Sequence, residues 1–77
     1  MAAKTRDWTA QVKGILKGEL KRKNVSYADL AKKLEAIGVH DNERNIANKI
    51  ARGSFTAVFF VQCLAAIGLN NVHIDQE

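Results

Sequence analysis

Five side chains in one short segment have the types and the spacing to contact nucleic-acid bases. The segment is DNERNIANKIARG, residues 41–53, and the side chains are Arg44, Asn45, Asn48, Lys49 and Arg52. On a helix that turns about 100° per residue, these five lie within an arc of about 140°, called here the polar face. Arginine can form paired hydrogen bonds with guanine and asparagine with adenine, and both also bind phosphates. The polar face contains no acid, so we expect an anionic partner.

The rest of this helix is predicted to face the protein interior. Its other arc is apolar and is formed by Ile46, Ala47, Ile50 and Ala51. Asp41 or Asn42 is expected to cap its beginning, and Gly53 to end it. The alternative is an ordinary amphipathic surface helix, in which the asparagines are caps or incidental.

Charge is distributed unevenly along the chain. All 12 Lys and Arg lie in residues 1–53 together with six acids, which gives this part +6, whereas residues 54–77 have two acids and no base. A basic part and an apolar part are expected of a protein that binds a polyanion on one side and protein on the other. A basic surface that is merely solvated is the alternative.

The length of 77 residues predicts one small domain, residues 1–77. The single cysteine, Cys63, lies in an apolar run and is expected to be a buried, reduced thiol rather than a reactive one. No signal peptide is recognisable, and the most apolar stretch, residues 55–69, is shorter than the roughly 20 residues of a membrane span. A cytoplasmic location, at the nucleoid, is therefore expected.

Apolar periodicity predicts three further helices. The first runs from about Asp7 to Lys23, and Asn24 is expected to adopt a left-handed conformation at its end. Its apolar stripe is Trp8, Val12, Ile15, Leu16 and Leu20, and Lys13, Lys17 and Lys21 form a row beside it.

The second helix is expected to begin at a Ser26 cap and to stop at Gly38. Its inner stripe is Tyr27, Leu30, Ala31, Leu34 and Ile37. The fourth is expected to begin at Thr56, with Phe55 packing on Phe60, and to end at Gly68. The sequences LEAIGV (34–39) and LAAIGL (64–69) predict the same type of helix end twice.

The fourth helix is apolar on nearly all sides. Phe59, Phe60, Cys63, Leu64 and Ile67 form its predicted core side, and Val58, Val61 and Ala65 lie on another arc. We expect a homodimer through this second arc, joined by Val72 and Ile74 of the tail, because one small domain covers only one side of such a helix. Burial under the tail and the first helix is the alternative.

The two ends of the chain carry weaker patterns. Residues 1–6 and 70–77 are expected to be flexible or to be ordered by a partner. The tail NNVHIDQE alternates apolar and polar residues, which indicates either a short strand paired with another chain or a fraying end.

The order of these elements resembles that of lambda-repressor-like helix-turn-helix domains. The matching pieces are SYADLAKKL (26–34), GV (38–39), ANKIARG (47–53) and CLAAIGL (63–69). The sequence departs from the repressor pattern at one position, because Glu35 stands where the repressors have glycine. The second helix is therefore expected to be about a turn longer than theirs. The whole chain is also similar to a group of short bacterial proteins known only as a domain of unknown function.

The helix-turn-helix resemblance implies an all-α, four-helix DNA-binding domain, with a short C-terminal strand as an option. It implies that the polar face lies in the DNA groove and that Ser26, Tyr27 and Ser54 contact phosphates. Lys13, Lys17, Lys32 and Lys33 either add attraction that is independent of DNA sequence or are simply solvated.

No pattern in the sequence indicates catalysis or a cofactor. His40, Cys63 and His73 lack the spacing of a zinc site, and no phosphate loop or nucleophile motif is present. We expect no enzymatic activity, no cofactor, no membrane contact and no small-molecule ligand. The expected function is transcription regulation, or nucleoid association, by a dimer on duplex DNA. The alternative is a protein–protein interaction module that uses the apolar arc of the fourth helix.

Overall fold

The computed structural model describes residues 7–72 and 74, and every helix in these residues is an α-helix. They are α1 (Trp8–Arg22), α2 (Tyr27–Ala36), α3 (Glu43–Arg52) and α4 (Ala57–Ala66). The predicted all-α class with four helices is therefore confirmed. Of the two predicted tails, residues 70–72 and 74 belong to no helix or strand, and residues 1–6, 73 and 75–77 lie outside the described residues.

Each helix begins at a polar side chain that accepts a hydrogen bond from the backbone N–H three residues later. The caps are Asp7, Ser26, Asn42 and Thr56, at 3.1, 3.1, 2.8 and 3.0 Å. Of the two candidates for α3, Asn42 is thus the cap. Asp41 instead accepts a hydrogen bond from the Asn42 N–H at 3.0 Å. Such caps satisfy backbone donors that have no partner inside the helix.

The repeated Ile-Gly sequences end α2 and α4 in the same way, as predicted. The Val39 N–H donates to the Leu34 carbonyl at 2.9 Å, and the Leu69 N–H donates to the Leu64 carbonyl at 2.9 Å. Gly38 and Gly68 hold φ of 87° and 79°, the left-handed conformation of this helix end. Asn24, with φ of 59°, takes the same role after α1. Local chemistry therefore sets the length of α1, α2 and α4.

The four helices bury one shared core. Both α1 and α2 pack on α3 and on α4. The core residues are Leu16, Leu20, Leu30, Leu34, Ile46, Ile50, Phe59, Cys63, Leu64 and Ile67. Ile46 and Ile50 are buried and Ala47 is half-buried, as predicted for the inner side of α3, and the polar face is directed outward. Ala51 was predicted on the inner side but is exposed, because it lies in the last turn of α3.

Two large side chains predicted in the core are also exposed. Trp8 is 63% exposed and Ile37 is 48% exposed. Trp8 is the first residue of α1, before the stripe reaches the core. Ile37 is the C-cap of α2, where φ of −104° and ψ of 16° depart from the helix and carry its side chain away from the inner stripe.

Gly53 lets the end of α3 pack closely on the beginning of α1. It is buried with φ of 68°, and an added Cβ would lie 2.7 Å from Thr9 Cγ2 and 3.0 Å from the Thr9 carbonyl oxygen. We expect Gly53→Ala to destabilise the fold by at least about 1–2 kcal/mol, the cost of a left-handed conformation for alanine. Gly18→Ala, which meets nothing within 4 Å in mid-α1, should stabilise it by about 0.5–1 kcal/mol. Urea denaturation measures both, and equal effects would contradict this role of Gly53.

Candidate nucleic-acid interface

The polar face of α3 is exposed to solvent. All five of its side chains belong to exposed residues. Four of them, Asn45, Asn48, Lys49 and Arg52, line one surface hollow together with Ser54. Arg44 and Arg52 make no ion pair; the ion pairs of the described residues join Arg22 to Glu19 and Lys49 to Asp41. The two arginines therefore present uncompensated charge to solvent.

Lys49 differs from the arginines because the protein itself holds its ammonium group. Lys49 Nζ lies 2.7 Å from Asp41 Oδ2 and 4.7 Å from the centre of the Phe59 ring. The Asp41 side chain is only 9% exposed, whereas that of Lys49 is 46% exposed. The arc of α3 contains no acid, as predicted, but Asp41 in the preceding loop places one at its edge. Lys49 consequently links α3 to that loop and to α4.

The Lys49 hydrogen bond lowers the pKa of Asp41 below its ordinary value of 3.8. The Asn42 backbone N–H adds to this effect, while burial of the carboxylate opposes it. A carboxylate whose pKa is lowered by folding stabilises the fold above its unfolded pKa, and that stabilisation is lost as the pH falls through its folded pKa.

We expect Asp41→Asn to lower the free energy of unfolding by about 0.2–1 kcal/mol at neutral pH, as for a partly exposed ion pair. Because wild-type Asp41 becomes protonated below its lowered pKa, the difference should shrink as the pH falls below about 4. Thermal unfolding across pH measures it. Glu35→Gln is the control, since Glu35 is exposed and makes no ion pair. A difference that persists unchanged in acid would contradict the ion-pair role of Asp41.

Lys13 joins α1 to the end of α3. Its Nζ donates a hydrogen bond to the Ala51 carbonyl oxygen at 3.1 Å, and the residue is half-buried. A cation is favourable there because the last carbonyls of a helix carry partial negative charge and have no partner within the helix. Lys13 thus helps to hold α3 against α1.

The remaining phosphate candidates fall into two groups. Lys17, Ser26 and Tyr27 line one hollow between the end of α1 and the beginning of α2, and Ser54 lies beside the polar face. Lys32 and Lys33 are exposed on α2 and line neither hollow.

Lys21 also lines the hollow between α1 and α2, although it was not among the candidates. The sequence indicated Lys21 through the spacing of the lysine row, since this row continues from Lys17 toward the short connection that precedes Ser26.

The predicted dimer residues are all exposed in the single chain. Val58 is 65% exposed and Val61 61%, while Val72 and Ile74 are 39% and 49% exposed. Ala65 is exposed beside them on α4. The expected core side of α4 is confirmed: Phe59, Cys63, Leu64 and Ile67 are buried and Phe60 is half-buried. Within the described residues, therefore, neither α1 nor the tail covers Val58 and Val61.

Within the described residues, neither a metal-binding cluster nor an exposed thiol lies beside this interface. The part of the chain that the structure describes contains no group of three or more His, Cys, Asp or Glu that could hold a metal ion. Burial raises the pKa of the Cys63 thiol to about 12, so it is protonated at neutral pH. The described helices also include none with the length and apolarity to cross a bilayer.

Fold and surface together define a small all-α domain with a basic helix face and an exposed apolar helix face. The chain belongs to the family described as Domain of unknown function (DUF6471), whose profile matches residues 8–72. No helix-turn-helix family is identified. Neither a curated protein nor a solved structure matches the chain.

Proposed function

We propose that this protein binds duplex DNA as a homodimer, as a transcription regulator or nucleoid-associated factor of helix-turn-helix type. The observation that carries the proposal is the pair of exposed, unpaired arginines, Arg44 and Arg52, on the same face of α3 as Asn45 and Asn48. Guanidinium and amide groups on the exposed side of one helix are suited to base edges in a major groove.

The contacts divide into two kinds. Arg44, Asn45, Asn48 and Arg52 face the bases, whereas Ser26, Tyr27, Ser54 and Lys17 contact the sugar–phosphate backbone. Lys13 and Lys49 hold α3 in place through Ala51 and Asp41. Lys32 and Lys33, which line neither hollow, are treated as solvated charges. Most affinity would come from the backbone contacts, because binding a phosphate releases condensed counterions.

The order of the helices supports this proposal, and the family match neither supports nor opposes it. The family supplies no activity, so the helix-turn-helix assignment rests on the order of elements and on the polar face. The helix before the turn continues through Glu35, as the sequence predicts. This longer α2 is expected to change the angle at which α3 meets DNA relative to the repressor pattern.

A gel-shift experiment with random and genomic duplex at about 50 mM salt tests the proposal. We expect a shift that weakens steeply as salt is added. Absence of any shift at that salt, with protein shown to be folded, would exclude DNA as the partner.

A protein–protein interaction module is the second candidate function. The exposure of Val58 and Val61 on α4 favours it, since a paired apolar surface of this kind commonly marks a binding site. Copurification of a different protein in equal amount would support it, provided that the complex survives Arg44→Ala/Arg52→Ala and is lost in Val58→Asp.

A further inference from the structure

A surface hollow lies where the end of α1 meets the beginning of α2. It has a volume of about 370 Å³ and is lined by Lys17, Leu20, Lys21, Val25, Ser26 and Tyr27. Its lining is mainly apolar, with the two lysines as its only ionisable cations. This volume is at the lower end of small-ligand sites, so the hollow admits a group of the size of a sugar.

The two lysines of the hollow have no partner within the described chain. Among the described residues, neither Lys17 nor Lys21 takes part in an ion pair. Asp29, the acid in the first turn of α2, forms none either. Like charges at positions i and i+4 of a helix repel each other by a few tenths of a kcal/mol. The described chain does not offset this repulsion. The two lysine charges are therefore complementary to an anionic partner.

The beginning of α2 lies at the same hollow, which Ser26 and Tyr27 line. The Ser26 side chain accepts from the Asp29 N–H at 3.1 Å, and its backbone carbonyl accepts from the Leu30 N–H at 2.8 Å. In the described residues no acceptor is bonded to the N–H groups of Tyr27 and Ala28. These two donors and the positive end of α2 add to the attraction that the lysines exert on an anion.

The row of lysines connects this hollow with the polar face. Lys13 lies one turn before Lys17, and its Nζ is bonded to the carbonyl of Ala51, the residue before Arg52. From Lys13 to Lys21 the row extends about 12 Å along α1. Duplex DNA presents one charge per about 1.7 Å of its axis, so a row of this length faces several phosphates.

We propose that the hollow seats one sugar–phosphate segment of the DNA backbone. The sugar packs on Leu20, Val25 and the Tyr27 ring, and the phosphate lies between Lys17 and Lys21 near the α2 amides. This inference rests on the proposed function and deepens it, since it adds Lys21 to the contacts and directs one strand along α1.

Affinity for random duplex, measured by fluorescence anisotropy across salt, tests the inference. Each lost phosphate contact reduces the slope of log Kobs against log salt by about 0.9. Lys17→Ala/Lys21→Ala removes the one phosphate contact of the hollow and should therefore reduce that slope by about 0.9, and the loss of affinity between about 50 and 200 mM salt should become roughly three- to fourfold smaller. Lys32→Ala/Lys33→Ala removes the same charge from the outer face of α2 and should retain the wild-type slope.

The outcomes separate this inference from the proposed function. If wild type binds duplex and the two double variants have equal slopes, the hollow is not a backbone contact and the proposed function stands. If wild type binds no duplex, the proposed function fails first. If Lys17→Ala/Lys21→Ala loses binding only to phosphatidylserine vesicles, with DNA binding unchanged, the lysines serve a lipid surface and the inference is wrong. Thermal unfolding of each variant confirms that it is folded.

Discussion

Replacing both free arginines of the polar face, Arg44→Ala/Arg52→Ala, should weaken DNA binding more than any other pair of substitutions on that face. An arginine that contacts a base contributes about 1–3 kcal/mol. The two residues are eight positions apart, about 12 Å along α3, so their effects should add. Since about 1.4 kcal/mol corresponds to a tenfold change in affinity, the expected loss is about 30-fold to 10⁴-fold.

The matched control for this pair is again Lys32→Ala/Lys33→Ala, which removes two positive charges from exposed positions of α2. Anisotropy titrations of both variants on one duplex give the comparison. The arginine variant should remain folded, since both side chains are exposed and unpaired. Equal losses in the two variants would mean that only total charge matters and that α3 has no special role.

The second large effect is expected at the apolar face of α4. We expect Val58→Asp to convert a dimer into monomers, because a two-fold interface would bury the new carboxylate twice without a partner. An unpaired buried charge costs about 3–5 kcal/mol, so the dissociation constant should rise at least about a hundredfold. Val61→Asp should act in the same way, since it is exposed to a similar degree on the same arc.

Light scattering across protein concentration measures the mass of each variant. Ile37→Asp is the matched control, because it places the same charge at an exposed apolar position on a different helix, at the end of α2. Wild type should have twice the chain mass and Ile37→Asp should match it. A wild type that is monomeric at high concentration would remove the homodimer, and the apolar face would then be open to a different protein.

Local chemistry is the part of this fold that the sequence determines most directly. The caps at Ser26 and Thr56 and the left-handed ends at Asn24 and Gly38 depend only on residues within one or two turns, and each was predictable. The stacking of Phe55 on Phe60, with ring centres 6.0 Å apart, has the same local origin. The division of α3 into inner and outer sides follows in turn from helical periodicity.

Tertiary contacts account for what the sequence did not reveal. The Lys13–Ala51 hydrogen bond joins residues 38 positions apart, and no local pattern predicts it. The sequence places Lys49 with the free cations because the helical arc is drawn from the residues of α3 alone. Its acid, Asp41, lies outside the helix, and its aromatic neighbour, Phe59, belongs to α4.

The central claim, that this domain binds duplex DNA, is tested most directly by titrating wild-type protein against random and selected duplex across a range of salt. We predict measurable binding of random duplex at about 50 mM salt, with log Kobs falling linearly as log salt rises and a slope steeper than about −3, as expected if four or more phosphates are contacted. Selected duplex should bind more tightly through Arg44 and Arg52. If folded wild-type protein binds neither duplex at that salt, the domain does not bind duplex DNA.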